Sequence, residues 1–317
     1  MWRVGVPDVN MCPSVAVDLD MRLDFERCCG VLFSVACLQM VPLGLRQTRG
    51  RGDYPMARYE GTCHLCGKVG PLSFEHVPPR RAFNDQPVRQ ISLEGSFQFE
   101  NERAEKGAVS QRGAGAYTLC ERCNNLTGKW YAKDFVKWCG QGAEILVRSE
   151  YRPTLIYLHY VLPLRVLKQI LTMCFSMNTP SWRESVPELE QFVLDRDRRW
   201  LPPRYRVFVY YNVEGTMRRV GNSIAMVNLN ESHDVVQVTE ISHPPFGYVL
   251  TVDGSRPDDR LFEITHFQRY EYGEIEVAFL RPEILPTHLG IPLDYRSREE
   301  IENQIALSSA ADGPSHD

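Results

Sequence analysis

Alternation dominates the second half of the chain. The runs YRVFVYYNV, SIAMVNL, VVQVTEI, FGYVLTV and EIEVAFL, between Tyr205 and Leu280, place β-branched and aromatic residues at close to every second position. A strand sends successive side chains to opposite faces, so this texture predicts an antiparallel, β-rich domain over 201–285. Glu214-Gly215 and Asp253-Gly254 supply turn residues and predict hairpins. Upstream the period lengthens. Pro163 opens a segment in which Leu164, Leu167, Leu171 and Cys174 share one helical face, and SVPELEQFVLDRDRR reads as a second helix with Ser185 as its cap and Pro187 in its first turn. Residues 150–200 are therefore expected to form a helical connector.

Shorter signals fill the front of the chain. Tyr131, Phe135 and Trp138, at i, i+4 and i+7, predict a helix with an apolar stripe that stops at Gly140 or Gly142; Lys129, Lys133 and Lys137 lie on a neighbouring stripe. LSFEHV reads as a short strand ended by Pro78 and Pro79, which can neither join a ladder nor continue a helix. Residues 82–118, polar and Gly-rich, read as a long loop that is either mobile or clasps a ligand. Residues 1–55 show no clear period and contain arginine but no lysine. MARYEGTCHLCG, starting at Met56, has the look of a protein beginning, so residues 1–55 are expected to be a poorly packed extension from a start assigned too early. The uncharged stretch 28–45 reaches the lower length limit of a membrane span, yet Gln39, Pro42 and Gly44 interrupt it, and no membrane partner is expected. SSAADGPSHD, closing 286–317, is expected to be a disordered tail.

Composition changes the picture in two ways. The net charge of -4 and pI of about 6.1 exclude a surface uniformly coated in positive charge, so a nucleic-acid contact would need a local patch. Met56 to Ile145 holds 12 Lys+Arg against 10 Asp+Glu, a slight local excess. The cysteines are also unevenly spread. Cys63-x2-Cys66 and Cys120-x2-Cys123 form two pairs, whereas a secreted disulfide protein would not concentrate its thiols this way, so a reducing, cytoplasmic setting with bound metal is expected. Four thiolates on two tight turns are what a tetrahedral structural zinc requires, with no position left open for water. His64, inside the first knuckle, either joins the ligands or points outward.

A structural zinc does not call for Glu75 and His76, two ionisable neighbours held at a strand end by prolines. CHLC, LSFEHVPP, LCERC and the Asn124 that follows together resemble the HNH endonucleases of the ββα-metal superfamily, in particular those with two C-x2-C zinc pairs. The resemblance covers roughly residues 60–140. It implies a zinc-stabilised ββα module over 56–149; with the helical connector and the β-rich domain, this makes α+β the expected fold of the whole chain. It also implies His76 as general base and Glu75 with Asn124, or its neighbour Asn125, as ligands of a catalytic Mg²⁺ or Mn²⁺. Arg80, Arg81, Lys129 and Lys133 would meet the phosphates of the implied partner, a nucleic acid and most simply DNA. The chain departs from the family in having Glu75 where aspartate is usual and in lacking an asparagine just before the second cysteine pair; Asn84 or Asn101 are the substitutes within reach. Two functions follow: a metal-dependent phosphodiesterase, or a zinc-dependent module that binds nucleic acid or protein without turnover.

Overall fold

The computed structural model describes residues 36–39, 59–91, 108–151, 157–229 and 232–311. All of these lie in the unit Val35–Asp317. Strand β1 (Ala36–Gln39) is the described part of the first 55 residues, so a regular element stands where none was expected. Strands β2 (Tyr59–Thr62) and β3 (Val69–His76) precede β4 (Val88–Ile91), β5 (Ala108–Ser110) and β6 (Gly115–Cys120). Residues 82–118 are thus less of a loop than composition implied, since β4 and β5 pair antiparallel there.

Helix α1 (Glu121–Thr127), a π-helical turn (Gly128–Ala132) and α2 (Lys133–Arg148) follow without a break. Tyr131, Phe135 and Trp138 are all buried, as their spacing predicts. The helix does not stop at Gly140 or Gly142. A Cβ on Gly142 would fall 2.3 Å from the Phe246 ring, so this glycine is a close-approach position rather than a terminator. Strand β7 (Tyr157–Val161) interrupts the expected helical connector.

Helix α3 (Pro163–Met177) is the hub, buried along nearly its whole length. After it come the short α4 (Trp182–Ser185) and α5 (Pro187–Leu194). Ser185 does not cap α5; it ends α4, where its hydroxyl donates to the Trp182 carbonyl at 2.8 Å, and Pro187 opens α5 directly after Val186.

The remaining strands are β8 (Arg206–Tyr211), β9 (Met217–Leu229), β10 (Ser232–His243), β11 (Phe246–Thr251), β12 (Phe262–Glu263) and β13 (Glu276–Leu280), followed by α6 (Arg298–Ala311). The region 201–285 is β-rich, as the alternation predicts. The large sheet runs β12-β8-β11-β10-β9-β1-β4-β5, antiparallel from β12 to β9, with β1 parallel to both its neighbours. Neither predicted turn closes a hairpin, because β8 and β9 are not neighbours and neither are β11 and β12. Gly215 instead pairs with Thr287, and β13 leaves the large sheet to pair with β7.

Period two explains the burial. Val207, Val209 and Tyr211 of β8 join the core around α3, while Phe208 and Tyr210 face a second cluster with Leu285 and Tyr295. The expected tail over 286–317 therefore begins as a packed strap and continues as α6; its last residues lie outside those described. Among the described residues, no helix is long and apolar enough to cross a membrane.

Candidate metal centre and active site

The first cysteine pair sits on a tight knuckle after β2. Its turn is closed by the Gly67 amide donating to the Cys63 carbonyl and the Cys63 amide to Lys68, both at 2.9 Å. Gly67 has φ of 69°, and the Arg183 guanidinium occupies the space where a Cβ would stand. The His64 amide ties the knuckle to the Thr118 carbonyl of β6, which delivers Cys120 at its end and Cys123 in the first turn of α1.

The four sulfurs lie within 4.8 Å of one another. Cys66 Sγ and Cys120 Sγ are 3.8 Å apart, far beyond a disulfide. Zn–S bonds of about 2.3 Å in a tetrahedron give S···S edges of ~3.8 Å, so the spacing fits zinc. The protonation pattern fits as well. A hydrogen bond from Cys123 and the Cys120 amide at 3.3 Å push the Cys63 thiol down to about 4. The same contact with Cys63, reinforced by burial, drives Cys123 upward, and burial raises Cys66. Cys63 thus holds its charge at the expense of Cys123 and Cys66, a conflict that a divalent cation would resolve. His64 is not part of this group. Its Nδ1 is enclosed, so it packs inward rather than pointing out, and burial is the main cause of its lowered pKa.

Strand β3 carries the Glu-His pair between β2 and β6. Its ladder with β6 shifts register between Ser73 and Phe74. There the Asn124 side-chain amide, projecting from α1, donates to Ser73 Oγ at 3.0 Å and to the Phe74 carbonyl at 3.2 Å. Ser73 Oγ donates onward to the Leu119 carbonyl at 2.9 Å. A bulge leaves ladder groups unpaired, and Asn124 takes up one of them. Asn125 is exposed on the outer side of α1, so Asn124 is the residue that meets the strand.

Glu75 and His76, as strand neighbours, have different surroundings. Glu75 is only 6% exposed and has no hydrogen-bond or ion-pair partner among the described residues. Burial alone lifts its carboxyl to about 8. His76 is half-buried. Its Nε2 lies 2.9 Å from the Arg112 carbonyl, and because a carbonyl only accepts, Nε2 carries the proton and Nδ1 keeps its lone pair. Burial, then the nearby Arg80 and Arg112 charges, hold its pKa below the usual imidazole value, against the opposing pull of the Arg112 carbonyl. His76 is accordingly neutral at pH 7.

Asn84 is buried, and its spacing concealed its place. Its Nδ2 donates to the Pro78 carbonyl at 2.6 Å and the Ala114 carbonyl at 2.7 Å, while its Oδ1 accepts from the Ala114 amide at 2.6 Å. It pins the exit of β3 to the entry of β6, on either side of His76. Asn101 lies outside the described residues.

The basic residues divide into two groups. Arg80 and Arg112 are exposed beside His76, Arg81 is exposed next along the chain, and Lys129 and Lys133 are exposed on the helical side. Lys137, by contrast, is 3.6 Å from Asp134. The sequence reading missed Arg112 and the aromatics Tyr59, Phe74 and Tyr117. One signal was present: a tyrosine stands shortly ahead of each cysteine pair, in YEGTC and YTLC. Comparisons with protein-family models, with curated proteins and with solved structures gave no match.

Proposed function

We propose that the chain is a metal-dependent endonuclease of the HNH kind, acting on phosphodiester bonds with His76 as general base. The observation that carries this reading is the state of His76. It is a neutral, half-exposed imidazole whose Nε2 is fixed by the Arg112 carbonyl and whose Nδ1 is left to accept a proton. The strand that holds it is braced by the four-cysteine centre and by Asn124.

The donors suit a hard cation. The Glu75 carboxyl, which would give up its proton on binding a cation, and the Asn124 amide oxygen have no other partner among the described residues, and oxygen ligands are what Mg²⁺ or Mn²⁺ takes. When bound there, the ion would supply charge stabilisation for the phosphoryl group and the departing oxygen. His76 Nδ1 takes a proton from water as the water oxygen bonds to phosphorus and the P–O3′ bond breaks. Arg80, Arg81, Lys129 and Lys133 hold the backbone phosphates. The zinc is structural and takes no part in the chemistry.

The test is plasmid nicking by the full chain with Mg²⁺ or Mn²⁺, beside His76→Ala and an EDTA control. Relaxation of supercoiled DNA by the wild type alone, and only with the ion, is the expected result; nicking that survives His76→Ala removes the assignment. A second reading, a zinc-dependent nucleic-acid-binding module without turnover, draws support from the Asn124 amide, which is engaged by β3 rather than by Glu75. It predicts bound DNA of unchanged length with any divalent ion.

A further inference from the structure

Next to His76 runs a row of rings that the proposed chemistry does not use. Tyr59 stacks on Tyr117 at 3.8 Å between centroids, nearly parallel at 19°. Phe74 meets Tyr117 edge-on at 5.4 Å and His76 edge-on at 4.9 Å. The rings come from all three strands of the small sheet: Tyr59 of β2 and Tyr117 of β6 meet across the central β3, whose Phe74 links them to the imidazole.

Cross-strand packing alone accounts for such contacts in many sheets. Here, however, Tyr59, Phe74 and Tyr117 belong to no apolar core cluster, and Tyr59 remains 40% exposed. The charge at the same end is complementary to a phosphate chain. Arg80 and Arg112 are exposed, have no acidic partner among the described residues, and lie close enough to act on His76. The neighbouring Glu60 alternates away from Tyr59 along β2.

We propose that the row Tyr59–Tyr117–Phe74 is a stacking shelf for the unpaired bases of a polynucleotide strand, with Arg80 and Arg112 holding its phosphates, so that the preferred substrate is single-stranded or locally unpaired nucleic acid. The idea rests on the nuclease reading only for what happens to the strand afterwards. Stacking on aromatic rings tolerates any base, because every base has a π face, whereas in a duplex those faces are already covered. DNA and RNA strands share this chemistry.

The experiment measures anisotropy of labelled oligothymidylate, oligouridylate and a duplex of equal length with the full zinc-loaded chain, at fixed salt and without added Mg²⁺ or Mn²⁺. Single strands should bind at least about tenfold more tightly than duplex. Tyr59→Ala should weaken single-strand binding by roughly tenfold while leaving duplex binding unchanged, and Tyr59→Phe should restore it. The two single strands separate a DNA from an RNA preference. Equal affinity for strand and duplex, no binding of either strand, or a Tyr59→Ala variant as tight as wild type overturns the shelf. Should Tyr59→Ala lose its zinc or its fold, Tyr59→Trp decides: its emission should be quenched by added single strand, and an unchanged emission counts against stacking. Metal-dependent nicking together with unaltered Tyr59→Ala binding removes the shelf and leaves the nuclease. Stacking-dependent binding without nicking leaves the shelf and removes the nuclease.

Discussion

At the front of the molecule, Cys63, Cys66, Cys120 and Cys123 gather a knuckle, a strand end and a helix start around one point. Behind the large sheet, Arg218 and Glu240 gather the segment 289–294 around another. Arg218 donates to Glu240 at 3.1 Å, to the Leu289 carbonyl at 2.7 Å and to the Asp294 carbonyl. Glu240 also accepts from the Tyr210 hydroxyl at 2.6 Å and the Leu293 amide at 2.8 Å. Both clusters hold irregular backbone in place. The difference lies in completeness. Arg218 and Glu240 satisfy each other, whereas Cys63 and Cys123 compete for a proton, a conflict that a bound cation would resolve. One anchor is autonomous and the other, a cysteine group that could hold a metal ion, would depend on that ion.

The largest expected effect breaks the dependent anchor. Stripping zinc, or Cys120→Ser, should remove on the order of 10 kcal/mol from the front module. Hydrogen exchange read by mass spectrometry should then show β3 and β6 losing protection while β8 and β10 keep theirs; uniform loss would mean the two anchors are not separable. Next comes the autonomous anchor. Glu240→Leu leaves Arg218 buried and unpaired and should cost about 3–5 kcal/mol, and adding Arg218→Met should recover much of it, since a buried pair replaced whole is often neutral. Urea unfolding of the two variants measures the difference.

A third prediction concerns the tie between the regions. His243, at the end of β10, donates from Nε2 to the Phe83 carbonyl at 3.1 Å, in the turn that carries Asn84. Burial, helped by Arg219, pushes its pKa down to about 4, against the opposing Phe83 bond. The folded state keeps it neutral, so its share of stability is present above about pH 6.5 and lost as pH falls through about 4, at ~1.4 kcal/mol per pH unit. His243→Gln should flatten that slope in urea midpoints between pH 7 and pH 5; an unchanged slope would place the pH dependence elsewhere. The smallest effect is local. Asn84→Ala strands the Ala114 amide and the Pro78 carbonyl and should cost about 1–3 kcal/mol in thermal unfolding, with zinc content unchanged.

The same comparison shows what the sequence made legible. Two C-x2-C pairs announce themselves, because adjacent ligands on a tight turn must be close in sequence. Arg218 and Glu240 do not, since their partners are mostly backbone groups of a strap more than fifty residues downstream, and backbone carries no letter. Likewise Tyr131, Phe135 and Trp138 were readable from their period, while the place of Gly142 inside α2 was not, because it answers to the close approach of Phe246, more than a hundred residues away. The strands of β8 to β11 were visible by alternation. Their neighbours were not, because Gly215 and Gly254 serve turns that lead away from the adjacent strand. At the candidate site, His76, Glu75 and Asn124 stood out by type and place. Asn84 did not, because its role is set by three backbone groups brought together only by folding.

Strand β7 pairs with β13 across the span of α3 to β12, and β4 of the front region shares one continuous sheet with β9 through β1. The chain is therefore interleaved rather than beaded. A gene fusion or recombination junction placed between residues 150 and 200 would part strands from their partners on both sides, so this front half is poorly suited to travel alone between proteins and should be inherited together with its β-rich half.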